Sequence, residues 1–180
     1  MAHKQQQQFI TLTKSLYPTY FKNVRVLDVG SLDINGSARQ FFDDPYYYVG
    51  LDLGIGKNVD IVCPGHLYKD FPFDIVFSGE CLEHDRYWKE TLLNMYDLLK
   101  PGGMLLFTCA STGRAEHGTL RTTPENSPFT SDTNYYQNLT EEDIRSVFNP
   151  ELEFSEFLFK YNPETYDLYF YGIKYVNTHK

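Results

Sequence analysis

No apolar run in the chain approaches the ~18 residues that a membrane-crossing helix requires. The opening residues, MAHKQQQQ, hold no apolar segment of signal-peptide type. Both absences point to the cytoplasm. Cysteine is scarce: Cys63, Cys81 and Cys109 are an odd count, which suits a reducing compartment. Positive charge is scarce as well. Against 24 Asp and Glu there are 16 Lys and Arg, scattered without a run, and the net charge is −8. Non-specific binding to a phosphate backbone needs a basic face, so nucleic acid is not the expected partner. Internal repeats and linkers are missing too, and the four glutamines at 5–8 are too few to form a low-complexity region.

Aromatic residues are abundant, with 15 Tyr and 14 Phe, enough to pack a core, line a pocket or build an interface. A chain of 180 residues is long enough for one domain with a real core. Phe9, Leu12, Leu16 and Tyr20 fall at helical spacing and predict an amphipathic helix over 5–17, ended by Pro18. Strands are expected at 25–29, 46–51, 59–63, 73–78 and 104–109. A short helix is expected near 36–42, and a longer one over 85–99, stopped by Lys-Pro-Gly-Gly. Residues 110–139 read as a long polar loop, and such a loop inside a compact domain is usually functional or disordered. Thr140 is placed to cap a last helix, and a hairpin turns around residues 162–164. The fold class is therefore α/β, a mostly parallel sheet with an antiparallel C-terminal hairpin. Residues 54–58 and 66–71 leave little room for helices, so one sheet face is thin in helical cover. A parallel sheet needs both faces buried. The N-terminal helix, a partner subunit in a homodimer, or both would supply the cover. The expected organisation is a single domain over 1–180, with a cap helix in 1–22 and a substrate-side loop over 111–139.

The most informative stretch is VRVLDVGSLDINGS at 24–37, followed about 22 residues after its first glycine by Asp52 in YYYVGLDLG. A buried strand ends in an acid and a glycine, and a polar turn follows. The glycine lets backbone approach a ligand, the next helix points N–H groups at it, and the second acid holds two ribose hydroxyls. The nicotinamide-dehydrogenase fingerprint is excluded, because the turn has only the first of its three glycines.

Four segments resemble the class I S-adenosylmethionine-dependent methyltransferases, in the small subgroup related to the ubiquinone-biosynthesis type. VLDVGS at 26–31 resembles the first motif and VGLDLG at 49–54 the second. FDIVFSGECLEH at 73–84 resembles the fourth, and LLKPGGMLLFT at 98–108 the helix–turn–strand unit that follows it. The resemblance implies S-adenosyl-L-methionine as cofactor and direct in-line transfer of its methyl group to a small-molecule or sugar-like acceptor. It implies cofactor contacts from Asp28, Gly30, Ser31, Leu32, Asp52, Leu53, Gly65, His66, Ser78, Gly79 and Glu80. Two departures stand out. Leu32 and Ile34 occupy positions where the family has glycine, so the turn must be longer or differently shaped. Pro64 stands where many members have an aspartate that accepts from the adenine amino group; the Gly65 N–H remains available. These departures keep a second reading open, a cofactor-binding protein without transferase activity.

On the acceptor side, His117 is read as a general base from its place just past strand five, with His84 as the alternative. Arg114, Tyr135 and Tyr136 are candidate substrate contacts; the loop aromatics could equally fold onto the core. Tyr17 and Tyr20 are expected to close over the cofactor. The primary reading has no metal. Its alternative takes Glu80, Glu83, His84 and His117, which resemble the metal site of small-RNA 2′-O-methyltransferases, although the net charge speaks against an RNA substrate. The two Cys-x-x-His pairs, at Cys63 and Cys81, are read as packing rather than zinc ligands.

Overall fold

Strand β1 (Arg25–Val29) lies inside the sheet because its side chains suit burial on both faces. Leu27 and Val29 enter one core layer and Val26 the other. β1 pairs in parallel with β2 (Tyr47–Asp52) and β4 (Phe73–Gly79). β2 pairs with β3 (Ile61–Val62), and β4 with β5 (Leu99–Ala110). β7 (Asp167–Lys174) runs antiparallel to β5, and β6 (Phe154–Asn162) antiparallel to β7. The order is β3-β2-β1-β4-β5-β7-β6, the expected parallel sheet with its antiparallel hairpin. This structure is a computed structural model and describes residues 3–176. The ends of the expected 1–180 span, 1–2 and 177–180, lie outside the described residues. No helix among the described residues is long and apolar enough to cross a membrane.

Three expected boundaries shift for local reasons. β3 keeps only two residues. Asn58 takes a positive φ of 67°, and the Asp60 carboxylate turns inward to accept the Gly50 N–H at 2.7 Å. The helix expected over 85–99 is α2 (Trp88–Asp97). Asp85 stays outside it, where its carboxylate accepts the Tyr87 N–H and the Thr91 hydroxyl. Residues 100–103 form an irregularity inside β5 rather than a separate turn, with Gly102 at φ 76°. The last two helices are single turns, α3 (Glu141–Arg145) and α4 (Pro150–Glu153). α3 opens on the expected Thr140, which exchanges hydrogen bonds with Asp143 in a capping box.

α2 and α3 cover one face around Leu92, Met95 and Ile144, with Phe154 of β6 in the same cluster. The connections from β1 to β4 contain no α-helix, and the opposite face is covered by the N-terminal helix, which is numbered α1 here (Lys4–Leu16). Its Phe9 and Ile10 pack with Ile75, Phe77, Met104 and Leu106, and the Phe9 ring stacks on Tyr169 at 4.9 Å. α1 thus supplies helical cover on this face, as expected of the N-terminal helix. Its direction corrects one expectation. Tyr17 bonds Glu156 and Tyr171, and the Tyr20 hydroxyl donates to Gly102 near the start of β5. These tyrosines lie away from the strands' C-terminal edge. The beginning of α1, with His3 and Gln6, lies there instead.

Asp28 also faces the α1 layer. It is buried and accepts a hydrogen bond from the Tyr48 hydroxyl at 2.7 Å, with the Arg39 guanidinium above the Tyr48 ring. Burial pushes its carboxyl from 3.8 up to about 6, against the lowering effect of the Tyr48 bond.

Two stability measurements follow. Phe9→Ala should cost about 3–5 kcal/mol in urea unfolding, because α1 is part of the core; a change below 1 kcal/mol would show that α1 is detachable. The folded state holds the Asp28 proton more tightly than the unfolded chain does. This contribution is complete below about pH 4 and is lost as pH rises through 6, by at most about 3 kcal/mol. Asp28→Asn should flatten that part of the stability–pH curve.

Candidate functional site

The strand order reverses between β1 and β4, and ligands of open α/β sheets bind outside the carboxyl ends of strands at such a point. A cavity of about 480 Å³ opens there. Its floor is the end of β1 and the turn after it, through Val29, Gly30, Leu32, Ile34 and Asn35. Gly30 sits at φ 81°, and a Cβ on it would lie 2.5 Å from the Cys81 side chain, so only glycine fits between these segments.

The turn is longer than a glycine-rich one and is closed by side chains. Asp33 accepts the Gly36 N–H at 2.8 Å, lies 2.7 Å from Lys57 Nζ, and accepts from the Asn58 amide. These partners, the Lys57 bond first, hold its carboxyl below the usual range. Leu32 packs against Gly56. Apolar and charged contacts to residues 56–58 therefore do what backbone flexibility does in a glycine loop.

Asp52, at the end of β2, lines the cavity. Its two oxygens accept the Leu32 N–H at 2.9 Å and the Leu53 N–H at 2.7 Å, and burial raises its pKa against both bonds. Each oxygen keeps a second lone pair for a ligand hydroxyl. Leu53, Gly65 and His66 form the wall beside it. The 64–68 segment is pinned to α2 by the Asn94 amide, which donates to the Gly65 and Tyr68 carbonyls. His66 stacks on Tyr87, with centroids 4.5 Å apart.

Gly79 and Glu80 close the β4 side. Glu80 has a positive φ of 51°, a conformation that costs a non-glycine residue about 1–2 kcal/mol. Its N–H donates to Thr108 O, and its carboxylate accepts from the fully buried Gln6 amide, which also bonds the Thr108 hydroxyl. Burial, reinforced by nearby Glu83, raises the Glu80 pKa.

The far end of the cavity carries His84, Arg114, His117 and His3. The imidazoles of His84 and His117 meet edge to face at 5.0 Å. Burial, and secondarily His117, pushes His84 down to about 3, and burial lowers His117. Both rings are therefore neutral near pH 7. Arg114 donates to the Thr165 carbonyl and lies 3.7 Å from the fully buried Asp167, which also faces His3 at 2.9 Å. The roof comes from the polar loop, through residues 126–130 and Thr133. The Phe129 ring lies so close over Gly54 that a Cβ there would be 2.4 Å from it.

The structure thus gathers Gly30, Leu32, Asp52, Leu53, Gly65, His66, Gly79, Glu80, His84, Arg114 and His117 around one cavity. Other expected residues lie elsewhere. Asp28 faces α1. Ser31 is buried against Gly50, and the Ser78 hydroxyl donates to Val29 O inside the sheet. Tyr135 packs on the core and bonds Gln137, and Tyr136 stands behind the two histidine rings. Of the four-residue metal alternative, Glu83, His84 and His117 converge. Glu80 groups instead with His3 and Asp167. Phe129, Tyr87 and His3 were missed. They belong to loops or a helix cap, where no periodicity marks which side chains point inward.

The family described as "Methyltransferase domain" matches residues 53–107, from the end of β2 into β5. No curated protein matches the chain in sequence. Solved structures do match in shape. The N-methyltransferase NodS of Bradyrhizobium japonicum is 14% identical with a TM-score of 0.60, over 95% of this chain and 94% of that one. The 1,6-didemethyltoxoflavin-N1-methyltransferase of Burkholderia thailandensis, solved with S-adenosylhomocysteine and 1,6-didemethyltoxoflavin, is 15% identical with a TM-score of 0.64, over 94% and 78%. Phosphoethanolamine N-methyltransferase 2 of Haemonchus contortus, solved with S-adenosyl-L-methionine, is 21% identical with a TM-score of 0.61, over 94% of this chain and 52% of that one. Sheet order, the antiparallel hairpin and these likenesses agree: the chain has the fold of the class I S-adenosylmethionine-dependent methyltransferases.

Proposed function

We propose that the protein is an S-adenosylmethionine-dependent methyltransferase acting on an oxygen or nitrogen of a small-molecule or sugar-like acceptor. The observation that carries this reading is Asp52, a half-buried carboxylate anchored by two backbone N–H groups and facing a cavity at the sheet's switch point. The cavity fits the cofactor. Gly30, at φ 81°, holds the turn tight against Cys81 at the cavity floor, Asp52 keeps lone pairs for ribose hydroxyls, and Leu53 and Phe129 offer apolar surface for a base. When bound, the cofactor supplies a methyl group on a sulfonium, already electrophilic.

The residues of the chain then align the acceptor and exclude water. Pro64 has no side-chain acceptor for the adenine amino group, while the Gly65 N–H remains available to donate to a ring nitrogen of the base. Losing that one contact weakens binding by about 0.5–1.5 kcal/mol and does not abolish it. Residues 126–133 roof the cavity and restrict the acceptor to a small molecule, since its volume is in the range of small-ligand sites. His84 and His117, both neutral, present lone pairs to the acceptor's O–H or N–H. His117 is the better placed, because its Nδ1 faces the Ala115 carbonyl at 3.1 Å and leaves Nε2 free. The three cysteines, none in a disulfide, suit a reducing compartment, and the proposal includes a cytoplasmic location.

Calorimetry with S-adenosylmethionine and S-adenosylhomocysteine tests the cofactor. Both should bind, and Asp52→Asn should weaken both by about 10-fold or more, the loss of a charged hydrogen bond. No binding at millimolar cofactor would end the proposal. Transfer of a labelled methyl group to a panel of small alcohols, sugars and amines tests the activity. Tight cofactor binding with no transfer, across a panel spanning these classes, would favour the binding protein without transferase activity.

A further inference from the structure

Behind the far end of the cavity lies a set of polar atoms that the proposed reaction leaves unexplained. One carboxylate oxygen of Glu83, one ring nitrogen of His84 and one of His117 all lie within 4.8 Å of one another. Glu83 is fully buried. The backbone N–H groups of Glu83 and Ala110 lie close enough to favour its charged form, yet among the described residues no donor reaches either oxygen with hydrogen-bonding geometry. His84 Nδ1 and the Tyr136 hydroxyl, beside the same group, are buried without a hydrogen-bond partner among the described residues as well. Buried polar atoms without partners are rare in folded proteins and call for a bound ion or water.

The chemistry of the donors decides between these. Two neutral imidazoles and one carboxylate make a three-donor set typical of divalent first-row transition ions, whereas Mg²⁺ and Ca²⁺ take oxygen ligands. The Ala115 carbonyl opposite His117 Nδ1 fixes the tautomer whose Nε2 carries a lone pair, as the outer partner of a metal-bound histidine does. The backbone around the group is tied down. Gln137 N–H donates to Glu83 O, and Gly118 packs edge-on against the His84 ring. Ligand atoms on one ion lie about 3–3.5 Å apart, so side-chain rotation of about an ångström closes the set. Nearby Asp167 adds negative potential, and Arg114 opposes it.

We infer that Glu83, His84 and His117 bind one divalent transition-metal ion, Mn²⁺, Fe²⁺, Co²⁺ or Zn²⁺, with its open positions toward the cavity that His84 and His117 line. The inference rests on the methyl-transfer reading only for what the ion would do there. A bound ion would be held by Glu83 and the two imidazoles, and it would lower the pKa of a coordinated acceptor hydroxyl. Without it, the imidazoles take the proton themselves.

The test uses the untagged 180-residue chain, stripped with chelator and titrated by calorimetry with Mn²⁺, Zn²⁺ or Mg²⁺ alone. One Mn²⁺ or Zn²⁺ should bind per chain, and Mg²⁺ should bind far more weakly. Glu83→Gln and His117→Ala should each weaken Mn²⁺ and Zn²⁺ binding by about 100-fold or more, with S-adenosylhomocysteine affinity unchanged. His117 lies on a loop, so its variant remains informative if Glu83→Gln does not fold. No binding at 1 mM ion (~), or equal binding in the His117 variant, overturns the inference. Metal binding without S-adenosylhomocysteine binding supports the ion site and overturns the methyl-transfer reading instead.

Discussion

A parallel sheet tolerates no wet face, and that constraint shapes the molecule from α1 inward. The links between β1 and β4 contain no α-helix, so thirteen residues of α1 shield the layer formed by Val26, Ile75, Phe77 and Leu106. A helix this short is marginal alone and holds through packing. One of its buried side chains is polar. The Gln6 amide, fully enclosed, spans Glu80 and Thr108 and so ties the covering layer to the ends of β4 and β5. The same contact supports the left-handed backbone at Glu80, a strained position at the cavity edge. Cover and site are therefore one construction.

The ligand wall shows a comparable economy. A turn with Leu32 and Ile34 in place of glycines cannot fold tightly, and it does not need to. Asp33 binds Gly36, Lys57 and Asn58, Leu32 packs on Gly56, and Asp52 accepts the Leu32 N–H. The two loops hold each other, and their rigidity comes from side chains. At the opposite end the electrostatics change. Buried Glu83 and Asp167 and half-buried Glu80 lie near two neutral imidazoles, a donor set that fits proton or metal chemistry rather than apolar packing.

The strand pattern and the Asp52 motif were legible because they rest on local periodicity and spacing. Thr140 as a cap was legible for the same reason, since capping needs only three residues of context. Asp28 and Ser78 were assigned to the cofactor from motif position. Which sheet face each side chain takes depends on pairing register, and both turned inward. Tyr17 and Tyr20 were placed over the cavity because the direction of α1 across the sheet is not written in its own periodicity. The polar loop was recognisable as a loop, but nothing in its composition distinguished Phe129, which roofs the cavity, from Tyr135, which joins the core.

By itself the sequence determined the sheet class, the order of the elements and the acid at the end of β2, because burial periodicity and turn chemistry act over a few residues. Only the tertiary structure decided which end of α1 meets the site, which acids face the cavity, and that Glu83, His84 and His117 converge. Those outcomes depend on contacts between segments far apart in the chain, whose geometry is set by packing the whole sheet and both of its covers at once.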